Sequence, residues 1–231
     1  MRNGASSSGA GDSAPGPPQA AVSRETSRDA SDLSRKALGL GVDLDDDRAA
    51  RLIRFERLLA ERAVPLGAVA RSDVARIRER HILDSLRAAP LVRGAGWVYD
   101  LGSGAGLPGI VVAIALPQVR MVLVDRRASR AAFLELAVEE LALPNARVFA
   151  GPFEEVAARA DACLARAFAP LQRSWEAAER VLGPGGRLVY FGGRELGEEG
   201  SIDVPAGAVL EAVIRTPVLE SAGPLVIMAR Q

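Results

Sequence analysis

The chain has 231 residues and a mass of 24.3 kDa, enough for one well-packed domain with small additions. Its 29 basic and 29 acidic side chains cancel, which argues against a protein that grips any nucleic acid it meets, and no uninterrupted apolar run reaches the length of a membrane span. The single cysteine, Cys163, excludes a disulfide framework within the chain and sits in an apolar, strand-like stretch where a core thiol is expected rather than a nucleophile.

Residues 1–32, rich in glycine, serine and proline at their start and without an apolar signal core, are expected to form a disordered tail. Residues 33–93 are expected to form a helical extension. From Arg48 to Ala63, the side chains of Leu52, Ile53, Phe55, Leu58 and Leu59 make an apolar stripe among arginines and glutamates, the pattern of an amphipathic helix laid on a larger body. Pro65-Leu66-Gly67 makes a turn. A second helical segment begins near Asp73, with Ser72 or Asp73 as its cap, and runs through Ile77, His81, Ile82, Ser85 and Leu86 to about Val92, with Pro90 disturbing its last turn.

Residues 94–231 alternate strand and helix. Trp97-Val98-Tyr99 and Met121-Val122-Leu123-Val124 have the length and β-branched content of buried parallel strands. Helices are predicted over Ile110–Leu116 and Ser129–Leu141, the latter burying Phe133, Leu134, Ala137, Val138 and Leu141, and short strands over Ala146–Ala150 and Ala162–Ala165. A helix from about Leu171 to Leu182 stops at Gly183-Pro184-Gly185-Gly186, after which Arg187–Phe191 restarts a strand. Ala208–Arg215 and Leu225–Ala229 then make an antiparallel hairpin at the sheet edge. Such alternation with short joins requires a mostly parallel sheet covered on both faces.

The two leading strands each end in an acid, Asp100 and Asp125, and Asp125 lies 19 residues after Gly106 of the run Asp100-Leu101-Gly102-Ser103-Gly104-Ala105-Gly106-Leu107-Pro108-Gly109. Glycines allow a tight turn and close backbone approach to a ligand, while an acid at the end of the next strand accepts hydrogen bonds from ribose hydroxyls. Gly104 to Gly109 also fits the dinucleotide string G-x-G-x-x-G, so a dinucleotide is the competing ligand. Asp100, directly before the glycines, would repel a pyrophosphate and suits the methionine part of S-adenosylmethionine, and Pro108 falls where a missing N–H is tolerated. Methyl transfer is the expected chemistry.

Arg80-His81-Ile82-Leu83-Asp84-Ser85, the glycine run ending in Leu107-Pro108-Gly109, Phe133-Leu134 and Ala165-Arg166-Ala167-Phe168-Ala169 together resemble the bacterial small-subunit ribosomal RNA guanine-N7 methyltransferases, the RsmG/GidB family. The resemblance runs from about residue 40 to the C-terminus. It implies a Rossmann-like methyltransferase domain over 94–231 with a seven-stranded sheet, packed with 33–93 as one unit. It also implies S-adenosylmethionine as cofactor, small-subunit rRNA or the assembling small subunit as partner, a monomeric state, no membrane and a cytoplasmic location.

The cofactor residues it implies are Asp100, Gly102, Ser103, Gly104, Gly106, Leu107, Pro108, Asp125, Arg126, Phe153, Glu154 and Arg166, with Phe153 beside adenine; Phe153 and Glu154 alternatively form only a turn and an acidic helix start. The catalytic and substrate set is Arg166, His81, Arg80 and Arg130. Arg166 follows the fourth strand, where several donors can read guanine or phosphate; His81 either fixes the extension or touches substrate. Arg126, Arg127 and Arg130 form either a solvated helix start or a phosphate-contacting surface. Lys36 is the only lysine, so arginine carries almost all the positive charge.

The chain departs from the family pattern at Phe191 before Gly192 and at Ser129, each in place of lysine, at Pro152, in place of arginine, and at Pro65-Leu66-Gly67, in place of asparagine-leucine-threonine. These changes remove RNA contacts and leave the cofactor loop intact. A methyltransferase for another RNA or a small molecule, and a cofactor-binding RNA assembly protein without activity, are the alternatives.

Overall fold

A computed structural model describes residues 19–156, 159–196 and 202–230. Its seven strands are β1 (Trp97–Leu101), β2 (Arg120–Asp125), β3 (Ala146–Ala150), β4 (Ala160–Arg166), β5 (Leu182–Phe191), β6 (Ala208–Ile214) and β7 (Leu225–Arg230). They form one sheet in the order β3-β2-β1-β4-β5-β7-β6, parallel from β3 to β5, with β7 antiparallel to both β5 and β6. The last two strands are thus the expected hairpin, inserted so that β6 is the edge.

Side-chain alternation along the central strands assigns each residue to one of two cores. Val98, Met121, Leu123, Ala162, Leu164 and Val189 face one layer; Tyr99, Leu101, Val122, Val124, Cys163, Ala165 and Leu188 face the other. The first layer is closed by helix α5 (Gly109–Ala115), helix α6 (Ala128–Glu140) and the N-terminal helices; the second by α7 (Leu171–Val181), whose Trp175, Ala178 and Val181 are buried. Cys163 is a core residue, and burial pushes its thiol pKa up.

Helix α1 (Gln19–Leu38) begins well inside the stretch expected to be a disordered tail through residue 32, which corrects that boundary; the expectation for residues 1–18 lies outside the described residues. Leu33 and Ala37, four positions apart, bury one face of α1 in the cluster that also holds Leu52 and Phe55 of α2 (Asp46–Leu58) and Ile110 of α5. Asp45 caps α2 by accepting the Arg48 N–H at 2.8 Å, and a wider π turn, Leu59–Ala63, completes the predicted helix.

The second predicted helix is broken. A 3-10 turn (Arg71–Arg76), a π turn (Arg78–Leu83), α3 (Asp84–Leu86) and α4 (Ala89–Val92) replace one continuous element. Neither Ser72 nor Asp73 caps it: Ala70 stands at the N-terminus without a side-chain bond, because the buried Asp73 carboxylate faces Arg80 and His81 instead. The Gly183–Gly186 stop is likewise no loop, since β5 already starts at Leu182, paired with Ala160 through an irregularity that absorbs the glycines. No helix among the described residues is long and apolar enough to cross a membrane.

Candidate cofactor and substrate sites

β1 pairs with β2 on one side and β4 on the other, so the chain changes direction across the sheet there, and ligands of such sheets bind beyond the carboxyl ends of these strands. A cavity of about 1010 Å3 lies at that edge. Gly102, Val124 and Asp125 form its floor; Gly151 to Glu155 close one side, Ala167 to Ala169 another, and Arg173, Glu176 and Arg180 of α7 the rim.

The loop from Gly102 to Gly109 is held rigidly. Ser103 donates its backbone N–H to the Val124 carbonyl and its hydroxyl to the Asp100 carbonyl, both at 2.9 Å. Gly102, Gly104 and Gly106 have φ of 67°, 57° and 81°, a region that costs a side-chain-bearing residue energy. At Gly102 there is also no room: a Cβ would fall 2.6 Å from Cδ2 of Phe168, whose ring meets Phe153 edge to face with centroids 5.7 Å apart.

Asp125 is buried at the end of β2. Its Oδ2 accepts the Gly104 N–H and its Oδ1 the Arg127 N–H, each at 2.9 Å, and Arg130 lies 3.9 Å from Oδ2. One backbone bond per oxygen fixes the carboxylate and leaves lone pairs for two more donors. Asp100 differs. Its Oδ2 accepts the Gly109 N–H at 3.0 Å, its Oδ1 is buried without a partner, and burial pushes its carboxyl pKa up to about 7 in spite of the Ser103 and Gly109 bonds.

A second cavity, about 540 Å3, adjoins the first and shares Ala167 with it. Arg76, Arg80, Asp84, Arg87 and Arg166 line it from the extension and β4, and Arg194, Gly192 and Gly193 from the segment after β5. Arg166 donates to the Arg80 carbonyl at 2.8 Å, to His81 Nδ1 at 3.0 Å and to Ser85 Oγ at 3.3 Å, pairs with Asp84 at 3.3 Å, and lies over the Phe191 ring. Because Nδ1 accepts, the His81 proton belongs on Nε2, which lies 3.2 Å from Asp73 Oδ2 but off the line of a hydrogen bond. Burial, together with the Arg166 charge, lowers the His81 pKa to about 4, so the imidazole is neutral at pH 7.

The sequence-derived residues therefore divide among several places. Gly102, Asp125, Arg126, Arg130, Phe153 and Glu154 border the first cavity. Ser103, Leu107 and Pro108 are buried within the loop and shape it, and Asp100 is sealed beneath it, not open to a ligand along its length. Arg166 and Arg80 line the second cavity, with His81 packed behind them. Arg130, grouped with them on sequence, lines the first cavity beside Asp125. Sequence reasoning missed Arg173, Glu176 and Arg180, whose spacing puts them on one face of α7, and Arg76, one turn before Arg80.

The model of the family described as rRNA small subunit methyltransferase G matches residues 48–211. Proteins named ribosomal RNA small subunit methyltransferase G from Anaeromyxobacter sp. (strain Fw109-5) and from Neisseria meningitidis serogroup A / serotype 4A are 38% and 34% identical to the chain. The alignments cover 79% and 83% of the chain and 88% and 94% of those proteins. Among solved structures, the O-methyltransferase TomG from Streptomyces achromogenes, in complex with SAM, superposes with a TM-score of 0.54 at 17% identity, over 82% of this chain and 92% of that one. An O-methyltransferase from Bacillus cereus in complex with SAH gives 0.55 at 15% identity, over 77% and 90%. These two structures speak for a Rossmann-like methyltransferase fold. The sequence match over most of the chain settles the family: this protein belongs to the small-subunit rRNA methyltransferases G.

Proposed function

We propose that the protein transfers a methyl group from S-adenosylmethionine to N7 of a guanine in small-subunit rRNA. Family membership gives the reaction, and the observation that supports it in this chain is a nucleoside-type pocket adjoining an arginine-lined one. The first cavity suits the donor: Asp125 keeps free lone pairs for a ribose, Phe153 lines the same cavity and offers an aromatic surface for an adenine ring, and the volume is ample for a ligand of this size. When bound, S-adenosylmethionine supplies an electrophilic methyl on a cationic sulfur.

Guanine N7 has a lone pair at neutral pH, so the residues present need not remove a proton. Their work is alignment and exclusion of water, which by itself can supply much of a rate enhancement. His81, neutral and packed behind Arg166, fits a positioning role; so does Arg166, whose donors hold the extension against the end of β4. Arg80 presents its charge to the second cavity, while Arg126 and Arg130 flank the donor. Both cavities lie within one chain, so the reading requires only a monomer, acting in the cytoplasm where small subunits assemble.

The test is incubation with methyl-labelled donor and, separately, small-subunit rRNA, assembled subunits and total tRNA, followed by mapping of the modified base. Label at guanine N7 of the rRNA is the expected result. Label only in tRNA, or none despite measured donor binding, refutes it.

A further inference from the structure

The family reading leaves open which surface takes the RNA strand. We propose that the second cavity seats a backbone phosphate of the RNA, held by Arg76, Arg80 and Arg194; the proposal rests on the rRNA reading above. Five arginines line this cavity and one carboxylate, Asp84, does. Their roles differ sharply. The Arg87 and Arg166 side chains are 3% and 17% exposed, and their donors are committed to the protein: Arg87 to Asp84 at 2.7 Å and to Thr216 Oγ1 and the Gly223 carbonyl at 2.9 Å, Arg166 to the partners given above. Together they neutralise Asp84, so no free carboxylate faces a ligand.

Arg76 and Arg80, by contrast, are 58% and 44% exposed, and both lean on the single buried acid Asp73, at 3.6 and 3.3 Å. Arg80 contacts Asp73 through Nε, which leaves both terminal nitrogens, the fork that matches two phosphate oxygens. Arg194, exposed on the segment after β5, makes no ion pair or side-chain hydrogen bond among the described residues. Two guanidinium groups from the extension and a third from the segment after β5 thus line one cavity, a charge set that suits an anion.

The wall that carries Arg194 is built, not loose. Gly192 donates its N–H to the Pro224 carbonyl at 2.9 Å, and Gly223 packs so tightly on that segment that a Cβ would fall 2.1 Å from the Gly192 carbonyl oxygen. Arg87 ties Gly223 to the extension from below. A phosphate in this site lies next to Ala167, the residue common to both cavities, so the adjoining base is directed toward the donor.

The experiment measures binding of labelled, protein-free small-subunit rRNA to the wild-type protein, to the double variant Arg76→Ala/Arg194→Ala and to a control, Arg120→Ala/Arg147→Ala, which removes two arginines that stack on Trp97 at the opposite end of the sheet. Each protein is also titrated with S-adenosylmethionine, which reports folding, and assayed for methyl transfer to the same RNA. The Arg76/Arg194 variant is expected to bind donor like wild type, to bind RNA about tenfold or more weakly at 0.1 M salt, and to show a salt dependence shallower by about one phosphate contact, a slope change of roughly 0.9. Arg194→Lys, which keeps the charge, is expected to regain much of the loss. RNA affinity within twofold of wild type and an unchanged slope, with methyl transfer intact in the wild type, overturns the proposal and leaves the rRNA reading standing. Equal losses in the control also overturn it, since charge anywhere would then suffice. A wild-type protein that methylates no rRNA removes the reading and the proposal with it.

Discussion

Replacing Arg166 with alanine tests whether this residue is a strut or a substrate contact. The side chain gives up hydrogen bonds to the Arg80 carbonyl, His81 Nδ1 and Ser85 Oγ, and leaves Asp84 with one partner instead of two. Removing one member of a buried ion pair costs about 3–5 kcal/mol when the remaining charge is stranded. Asp84 is not stranded here, because Arg87 stays at 2.7 Å, so the loss falls below that range, at about 2 kcal/mol, the scale of hydrogen bonds made by a charged donor. Urea unfolding measures this directly, with an unchanged m-value showing that the same surface is still exposed on unfolding.

Turnover is expected to fall with stability, because the second cavity loses its inner wall. Arg166→Lys keeps the charge but not the planar fork, and should recover less than half of the lost stability. A change of less than about 0.5 kcal/mol in Arg166→Ala, the level of an ordinary surface substitution, combined with abolished methylation, would refute the strut and place the guanidinium on the substrate.

Three further substitutions follow from the geometry. Asp125→Ala is expected to weaken donor binding by about 1–3 kcal/mol in calorimetric titration, since a fixed carboxylate acceptor is lost; unaltered affinity would detach Asp125 from the ribose. Asp100→Asn mimics the protonated acid. The folded pKa of about 7 lies above the ordinary 3.8, so the wild type loses stability as pH rises from about 4 through 7, and the variant should exceed it at pH 8 by at most about 4 kcal/mol and match it near pH 4 in urea titrations. His81 works in the opposite direction: with its pKa lowered from 6.5 to about 4, stability is lost as pH falls through that window, up to about 3 kcal/mol, and His81→Gln should remove this part of the acid dependence.

The sheet was legible because its central strands are buried on both faces and its strands are bounded by turn residues; for the less buried Ala146–Ala150 the ends agree as well. The cofactor loop was legible because its signal is local in sequence: glycines, a preceding acid, and Asp125 one strand further on. The extension was less so. Its apolar stripe is clear, but Arg80 pairs with Asp73, and Arg166 bonds to the Arg80 carbonyl and to His81, and those contacts divide a helix that periodicity alone would continue. The same long separation hid the roles of Arg166 and Arg87, whose distant partners lie 81 to 136 positions away. Charge alone misled in the other direction. Arg130 and Arg80 carry the same charge, yet the fold assigns them to different cavities.

Three consecutive residues join these cavities. Arg166 is anchored in the extension, Ala167 lies between the two sites, and Phe168 presses on Gly102 in the cofactor loop. Ala167 has φ of 51°, a left-handed conformation that costs a non-glycine residue about 1 kcal/mol or more and persists only where neighbours on both sides enforce it. Here both neighbours do so, one through four polar partners and the other through an aromatic ring wedged against a glycine with no space for a Cβ. The extension is thus more than a cover for one face of the sheet. Through Arg166 it fixes the wall common to the two cavities, so a disturbance at His81, packed behind Arg166, must be felt on both sides of that wall.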